Sequence, residues 1–122
     1  MEPAPAPVIE AAAFESVTEN VFFRLNESEL LDDERAKVLE IAAVLKATPS
    51  ARVTVTGYAD KETGSESYNM ELSKERAENV AAALEAAGID ADRITVDYKG
   101  STVNPYDTPE KNRVAVCVVD EE

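Results

Sequence analysis

Histidine is absent from this chain. That removes in one step the usual general base, the usual activator of a nucleophile and the commonest transition-metal ligand. Cysteine is nearly absent too: the single Cys117 has no partner for an internal disulfide. Its place in the apolar run Val114–Val119 is that of a buried, inert thiol. No apolar run approaches the roughly 18 residues that a membrane-spanning helix needs. Positive charge is scarce, with 12 Lys and Arg against 25 Asp and Glu and a formal net charge of −13. Such a surface repels phosphate backbones and anionic headgroups, so no nucleic-acid partner is expected. Membrane contact is expected only through a segment upstream of this sequence. Most of the acids read as solvated surface. The stretch Met1–Pro7 also lacks the basic and apolar regions of a secretion signal.

What is present suits one domain with a tail. A chain of 122 residues can bury roughly two-thirds of its unfolded surface, enough for one core without disulfide or metal staples. Its 44% apolar content is ordinary for a globular protein. Without a secretion signal the chain is either cytoplasmic or a piece of a longer exported chain. The Pro/Ala alternation at the start, read as an extended linker over residues 1–12 with the domain occupying 13–122, favours the second.

Periodicity predicts the elements in the order β-α-β-α-β-β. Phe14 to Leu25 is a first strand region rich in Val and Phe. A first helix over Asp32–Ala47 carries Val38, Ile41, Ala42 and Leu45 on one face, acids in its first turn and Pro49 beyond its end. Arg52–Tyr58 alternates as a strand with Val53 and Val55 on one side. A long helix over Ser67–Ala87 follows, with Gly88 as its C-terminal cap. Asp92–Tyr98 reads as a third strand, with Ile94, Val96 and Tyr98 on one face. After a Gly/Asn/Pro loop, Arg113–Val119 has the near-continuous apolar pattern of a central strand buried on both faces. Asp120–Glu122 reads as an acidic tail. The expected fold class is therefore α+β, a mixed sheet with helices packed on one face.

The long helix holds the informative anomaly. Leu72, Val80 and Leu84 fall in one row at multiples of four, and Arg76 occupies the missing place. A guanidinium beside an apolar stripe costs several kcal/mol (about) if left unpaired. It must reach out along the edge or meet an acid. Asp60, at the end of the preceding strand and facing the start of this helix, is the candidate partner. Spacing brings the two charges near each other. It does not distinguish a plain salt bridge from a pair that flanks a ligand.

Further residues bear on that choice. Gly57-Tyr58-Ala59-Asp60, followed by Tyr68-Asn69-Met70-Glu71-Leu72-Ser73-Lys74-Glu75-Arg76-Ala77-Glu78-Asn79-Val80, resembles the signature of the OmpA-like C-terminal peptidoglycan-binding family. Phe23-Arg24-Leu25-Asn26-Glu27-Ser28, Gly88-Ile89-Asp90-Ala91-Asp92-Arg93-Ile94 and Asn112-Arg113-Val114 resemble further motifs of the same family, in the same order. The match runs from about residue 14 to 119. The resemblance implies non-covalent binding of peptidoglycan through the diaminopimelate of its stem peptide. It implies a periplasmic domain of an outer-membrane-associated protein in a Gram-negative bacterium, with no catalysis and no cofactor. By carry-over, Asp60 takes the ammonium of the diaminopimelate head and Arg76 clamps its carboxylate. Asn26 hydrogen-bonds the same head, and Ala59, Leu72 and Arg113 wall the pocket. The chain departs from the family at Tyr58-Ala59, where His-Thr is usual, at Asn26, where an acid is usual, and at Val114, where a second Arg is usual.

Three rival readings remain. Asp60 and Glu62 are two carboxylates at a strand end, but no histidine or catalytic cysteine supports an enzyme. Asp60–Ser65 lacks the oxygen ligands and terminal Glu of an EF-hand, so no metal is expected. The third is an interaction or self-association module with Asp60–Arg76 as an internal brace. An open pocket between the two side chains favours a ligand; a closed bridge favours the brace.

Overall fold

The computed structural model describes residues 16–61 and 64–121. The expected linker, together with Phe14, Glu62 and Glu122, lies outside these residues. Four strands and two helices follow in chain order: β1 (Val17–Phe22), α1 (Asp32–Ala47), β2 (Ala51–Gly57), α2 (Glu66–Ala86), β3 (Ile94–Tyr98) and β4 (Val114–Glu121). Short 3-10 turns at Ala91–Arg93 and Glu110–Asn112 introduce β3 and β4. The sheet order is β1-β4-β2-β3. β4 runs antiparallel to both β1 and β2, while β2 and β3 are parallel. β2-α2-β3 is thus a βαβ crossover between neighbours, and β1-α1-β2 is one split open by β4. The expected mixed α+β sheet is the observed one.

Each helix forms for local reasons and stays for tertiary ones. α1 buries Val38, Ile41, Ala42 and Leu45, the face that the periodicity named. Its first-turn Glu34 accepts the backbone N–H of Phe22 at 2.8 Å, and Lys37 donates to the carbonyl of Asn20 at 2.8 Å. The outer edge of β1 is closed by these two side chains. α2 opens on Ser65, whose hydroxyl accepts from the N–H of Tyr68, a side-chain N-cap. It closes on Gly88, with φ +104. There the N–H of Ile89 reaches Leu84 and that of Gly88 reaches Glu85, a Schellman turn with buried Ile89 folded back on the helix.

The core lies between the sheet and the two helices. Val21, Val53, Val55, Ala115, Cys117 and Val119 meet Ile41, Leu45, Ala77, Val80 and Leu84 there. β4 departs from expectation in two ways. It is central, but Val116 and Val118 on its other face are only half-buried, because both helices cover the same side. It also runs through Asp120 and Glu121, which pair with Arg52 and Ala51, so the acidic tail continues the strand. β1 is shorter than expected: Arg24 to Glu27 form a turn, closed by the N–H of Glu27 on the carbonyl of Arg24. On β3, which begins two residues later than expected, Val96 and Tyr98 are exposed, as befits an edge strand.

At the end of β2, strand and helix touch backbone to backbone. A Cβ on Gly57 would lie 1.9 Å from the carbonyl oxygen of Ser73 in α2. Only glycine lets the strand end come this close. Asp60 and Arg76 are therefore presented to each other across a very thin contact.

Candidate functional site

The three residues after β2 are pinned at nearly every backbone group. The N–H of Tyr58 donates to Val114 and that of Ala59 to Gly100. The carbonyl of Ala59 accepts from Asn104 and that of Asp60 from Asn69. The carbonyl of Tyr58 accepts from Arg76. Asp60 is thereby held with its carboxylate inside the protein, 2% exposed.

Arg76 is 1% exposed, and its guanidinium joins three stretches of chain. Nε donates to the carbonyl of Glu27 at 2.9 Å, Nη1 to that of Tyr58 at 2.9 Å and Nη2 to that of Arg24 at 3.1 Å. The ring of Phe23 lies against it, 5.3 Å from Cζ to centroid, within cation–π range. Burial brings its pKa down from 12.5 to about 10. The Asp60 charge works against that shift, and the Arg113 charge adds to it. The charge survives at neutral pH because carbonyl dipoles and a carboxylate replace water around it. Three of the five guanidinium N–H groups are thus donated, which leaves two on the Nη atoms with no acceptor among the described residues.

The partner of Asp60 is Arg113. Its Nε donates to Oδ2 at 3.0 Å, and the Arg113 side chain is 19% exposed. Arg113 stands just before β4, and the sheet order brings it beside the end of β2. The expected partner Arg76 feels the Asp60 charge but spends its described hydrogen bonds on main-chain carbonyls. Two guanidinium groups and one carboxylate therefore lie in the same region and leave one net positive charge. Both Asp60 and Arg76 are almost fully covered, at 2% and 1% exposed. A cleft of about 170 Å³ is lined by Lys61, the residue after Asp60, with Asn104, Tyr106, Asp107, Pro109 and Asn112.

The other expected residues take varied places. Ala59 and Leu72 are buried, Ala59 directly before Asp60 and Leu72 one turn before Arg76. Asn26 is exposed, in a left-handed turn with φ 59, a conformation that Asn tolerates better than most residues. That turn aims the carbonyls of Arg24 and Glu27 at Arg76. Among the described residues no group of three or more Cys, Asp or Glu side chains could hold a metal ion, and no described helix is long and apolar enough to cross a membrane.

Several positioning residues escaped the reading of the sequence. Asn69 and Ser73 are buried on the inner row of α2 with Arg76. Ser73 accepts from the N–H of Gly100 and donates to the carbonyl of Met70. Asn112 both accepts from and donates to the backbone of Tyr106, closing the last loop. A signal existed for the first two: polar side chains at positions 69 and 73 share the helical face of Leu72, Arg76 and Val80.

Comparison with known proteins gives a consistent result. The model of the OmpA family matches residues 22–116. Outer membrane protein 40 of Porphyromonas gingivalis is 41% identical over 101 residues, which cover 83% of this chain and 26% of that protein. Peptidoglycan-binding protein ArfA of Mycobacterium tuberculosis is 48% identical over 85 residues, 65% of this chain and 26% of that protein. The chain thus spans about a quarter of the length of these curated relatives. Among solved structures, the peptidoglycan-associated lipoprotein from Burkholderia pseudomallei superposes with a TM-score of 0.77 at 25% identity, covering 83% of this chain and 89% of that one.

Proposed function

The chain belongs to the OmpA family, and on that footing we propose that it binds peptidoglycan non-covalently through the diaminopimelate of the stem peptide. In this reading it holds an outer-membrane-associated protein to the cell wall from the periplasmic side, by binding and not by catalysis. One observation carries the proposal: a carboxylate and a guanidinium of opposite charge are buried together where β2 meets α2, beside relatives that include a peptidoglycan-binding protein and a peptidoglycan-associated lipoprotein. The amino-acid head of diaminopimelate is a zwitterion. Its ammonium fits the Asp60 carboxylate, and its carboxylate fits the two Nη hydrogens of Arg76 that have no described acceptor. The net positive charge of this region favours the carboxylate end. Ala59 and Leu72 form the wall, with Arg113 and Asn26 flanking.

A second reading has its own observation. Asp60 and Arg76 are almost inaccessible and Asp60 is already paired with Arg113, as an internal brace in a protein-interaction module would be. Co-sedimentation with insoluble peptidoglycan sacculi separates the two. The parent chain is expected in the pellet, with Asp60→Asn and Arg76→Lys remaining in solution although folded, and free diaminopimelate releasing the parent. A parent that stays in solution supports the brace instead.

A further inference from the structure

The two arginines that face Asp60 are tethered very differently. Arg76 is fixed by three carbonyls and the Phe23 ring, and leaving would break all four contacts at once. Arg113 has one described side-chain bond, Nε to Asp60 at 3.0 Å, and its side chain is the more exposed. Its backbone is anchored independently, since its carbonyl accepts the N–H of Phe23 at 2.7 Å. The side chain can therefore swing without moving β4. A cation on a single tether thus occupies Oδ2 of Asp60, on the carboxylate proposed to take the incoming ammonium.

We infer that Arg113 is an internal surrogate for the ligand's ammonium: it neutralises Asp60 in the unliganded protein and is displaced when the zwitterion enters. The inference rests on the proposed peptidoglycan site and adds to it a competing residue that sets affinity. The exchange is charge-conserving, because an ammonium replaces a guanidinium on the same carboxylate and Asp60 is never left buried and unpaired. It also accounts for a closed site in a binding protein: the residue that closes it is the one with least holding it. The competition weakens binding, since part of the ammonium–Asp60 interaction goes to replacing an existing ion pair. Specificity follows as well. A ligand with a carboxylate but no ammonium has nothing to exchange for Arg113 and leaves the site shut.

Titration calorimetry of free diaminopimelate into the parent, Arg113→Gln and Asp60→Asn tests this. Removing the competitor is expected to tighten binding by about fivefold or more, while Asp60→Asn abolishes it. Equal or weaker binding by a folded Arg113→Gln overturns the surrogate role and makes Arg113 a wall or a ligand contact. A parent that binds neither sacculi nor diaminopimelate removes the proposed function itself, a separate outcome. A second measurement needs no substitution. In the 15N-labelled parent, saturation with diaminopimelate should abolish the exchange protection of the Arg113 Nε–H and leave that of Arg76 intact. Retention of both in the saturated protein refutes displacement.

Discussion

Gly57→Ala is the most direct test of how the site is positioned. The new Cβ would sit 1.9 Å from the carbonyl oxygen of Ser73, 2.8 Å from its carbonyl carbon and 3.3 Å from the Cβ of Ala77. The first two are backbone atoms of a 21-residue helix and cannot rotate away as a side chain could. Relief requires the end of β2 and the middle of α2 to part by about 1 Å, which opens the packing of Ala77 and Val80 and loosens the Ser73–Gly100 bond. Overpacking commonly costs about 1–3 kcal/mol, and a collision with helix backbone belongs at or above the top of that range. At roughly 4 °C per kcal/mol for a domain of this size, the melting temperature should fall by about 12 °C or more. Gly88→Ala is the internal control. Its Cβ meets nothing closer than the Lys46 side chain at 3.5 Å, so it bears only the cost of a positive φ, about 1–3 kcal/mol. Thermal unfolding followed by circular dichroism reads both. If Gly57→Ala melts within a few degrees of the parent, or no lower than Gly88→Ala, the backbone-to-backbone contact does not set the spacing of Asp60 and Arg76.

Three further outcomes are expected. Asp60→Asn should lower affinity for sacculi at least about tenfold, the value of one charge-assisted hydrogen bond, with a folded circular dichroism spectrum; parent-like pelleting would place the ligand elsewhere. Arg93→Ala should cost about 2–3 kcal/mol in urea unfolding, because this guanidinium satisfies the carbonyls of Leu45, Thr48 and Ala51 where α1 hands over to β2; a loss below about 1 kcal/mol would mean that water serves those carbonyls equally well. Cys117 should ignore thiol reagents at pH 8 until the chain unfolds. Burial, with Glu19 adding to it, raises its pKa from 9.0 to about 12, so between those values the native state keeps a proton that the unfolded state loses. Stability then falls as pH rises through that window, by up to about 1.4 kcal/mol per unit. Comparison with Cys117→Ala isolates the slope, and identical pH profiles for the two chains would count against it.

The elements were legible where one physical signal sufficed. The span of α1 follows from its 3.6-residue apolar period, its first-turn acids and Pro49. The bounds of β2 and α2 shift by one residue, Gly57 ending the strand and Ser65 capping the helix. Pairing was less legible, because it is decided by partners far along the chain. Asp120 and Glu121 looked like a solvated tail, yet the ladder to Arg52 and Ala51 carries β4 through them. The valines of β4 looked buried on both faces, although composition cannot say on which side of the sheet the helices lie. Val116 and Val118 are half-buried because α1 and α2 share the other side.

The same distinction governs the site. Asp60 and Arg76 lie close in sequence, on adjacent elements, so reading the chain brought them together. The ion partner of Asp60 comes 53 residues later, and it is adjacent only because β4 inserts between β1 and β2. The acceptors of Arg76 are less legible still, since they are main-chain carbonyls and any residue could supply them. What the sequence records at those places is the conformation that aims the carbonyl: a left-handed turn at Asn26 and a glycine at the end of β2. The exposed Asn26 thus has a backbone role in that turn, whatever it contributes to the proposed site. The buried charges carry the chemical information, and Arg113, with one described tether and partial exposure, is where the proposed exchange would act.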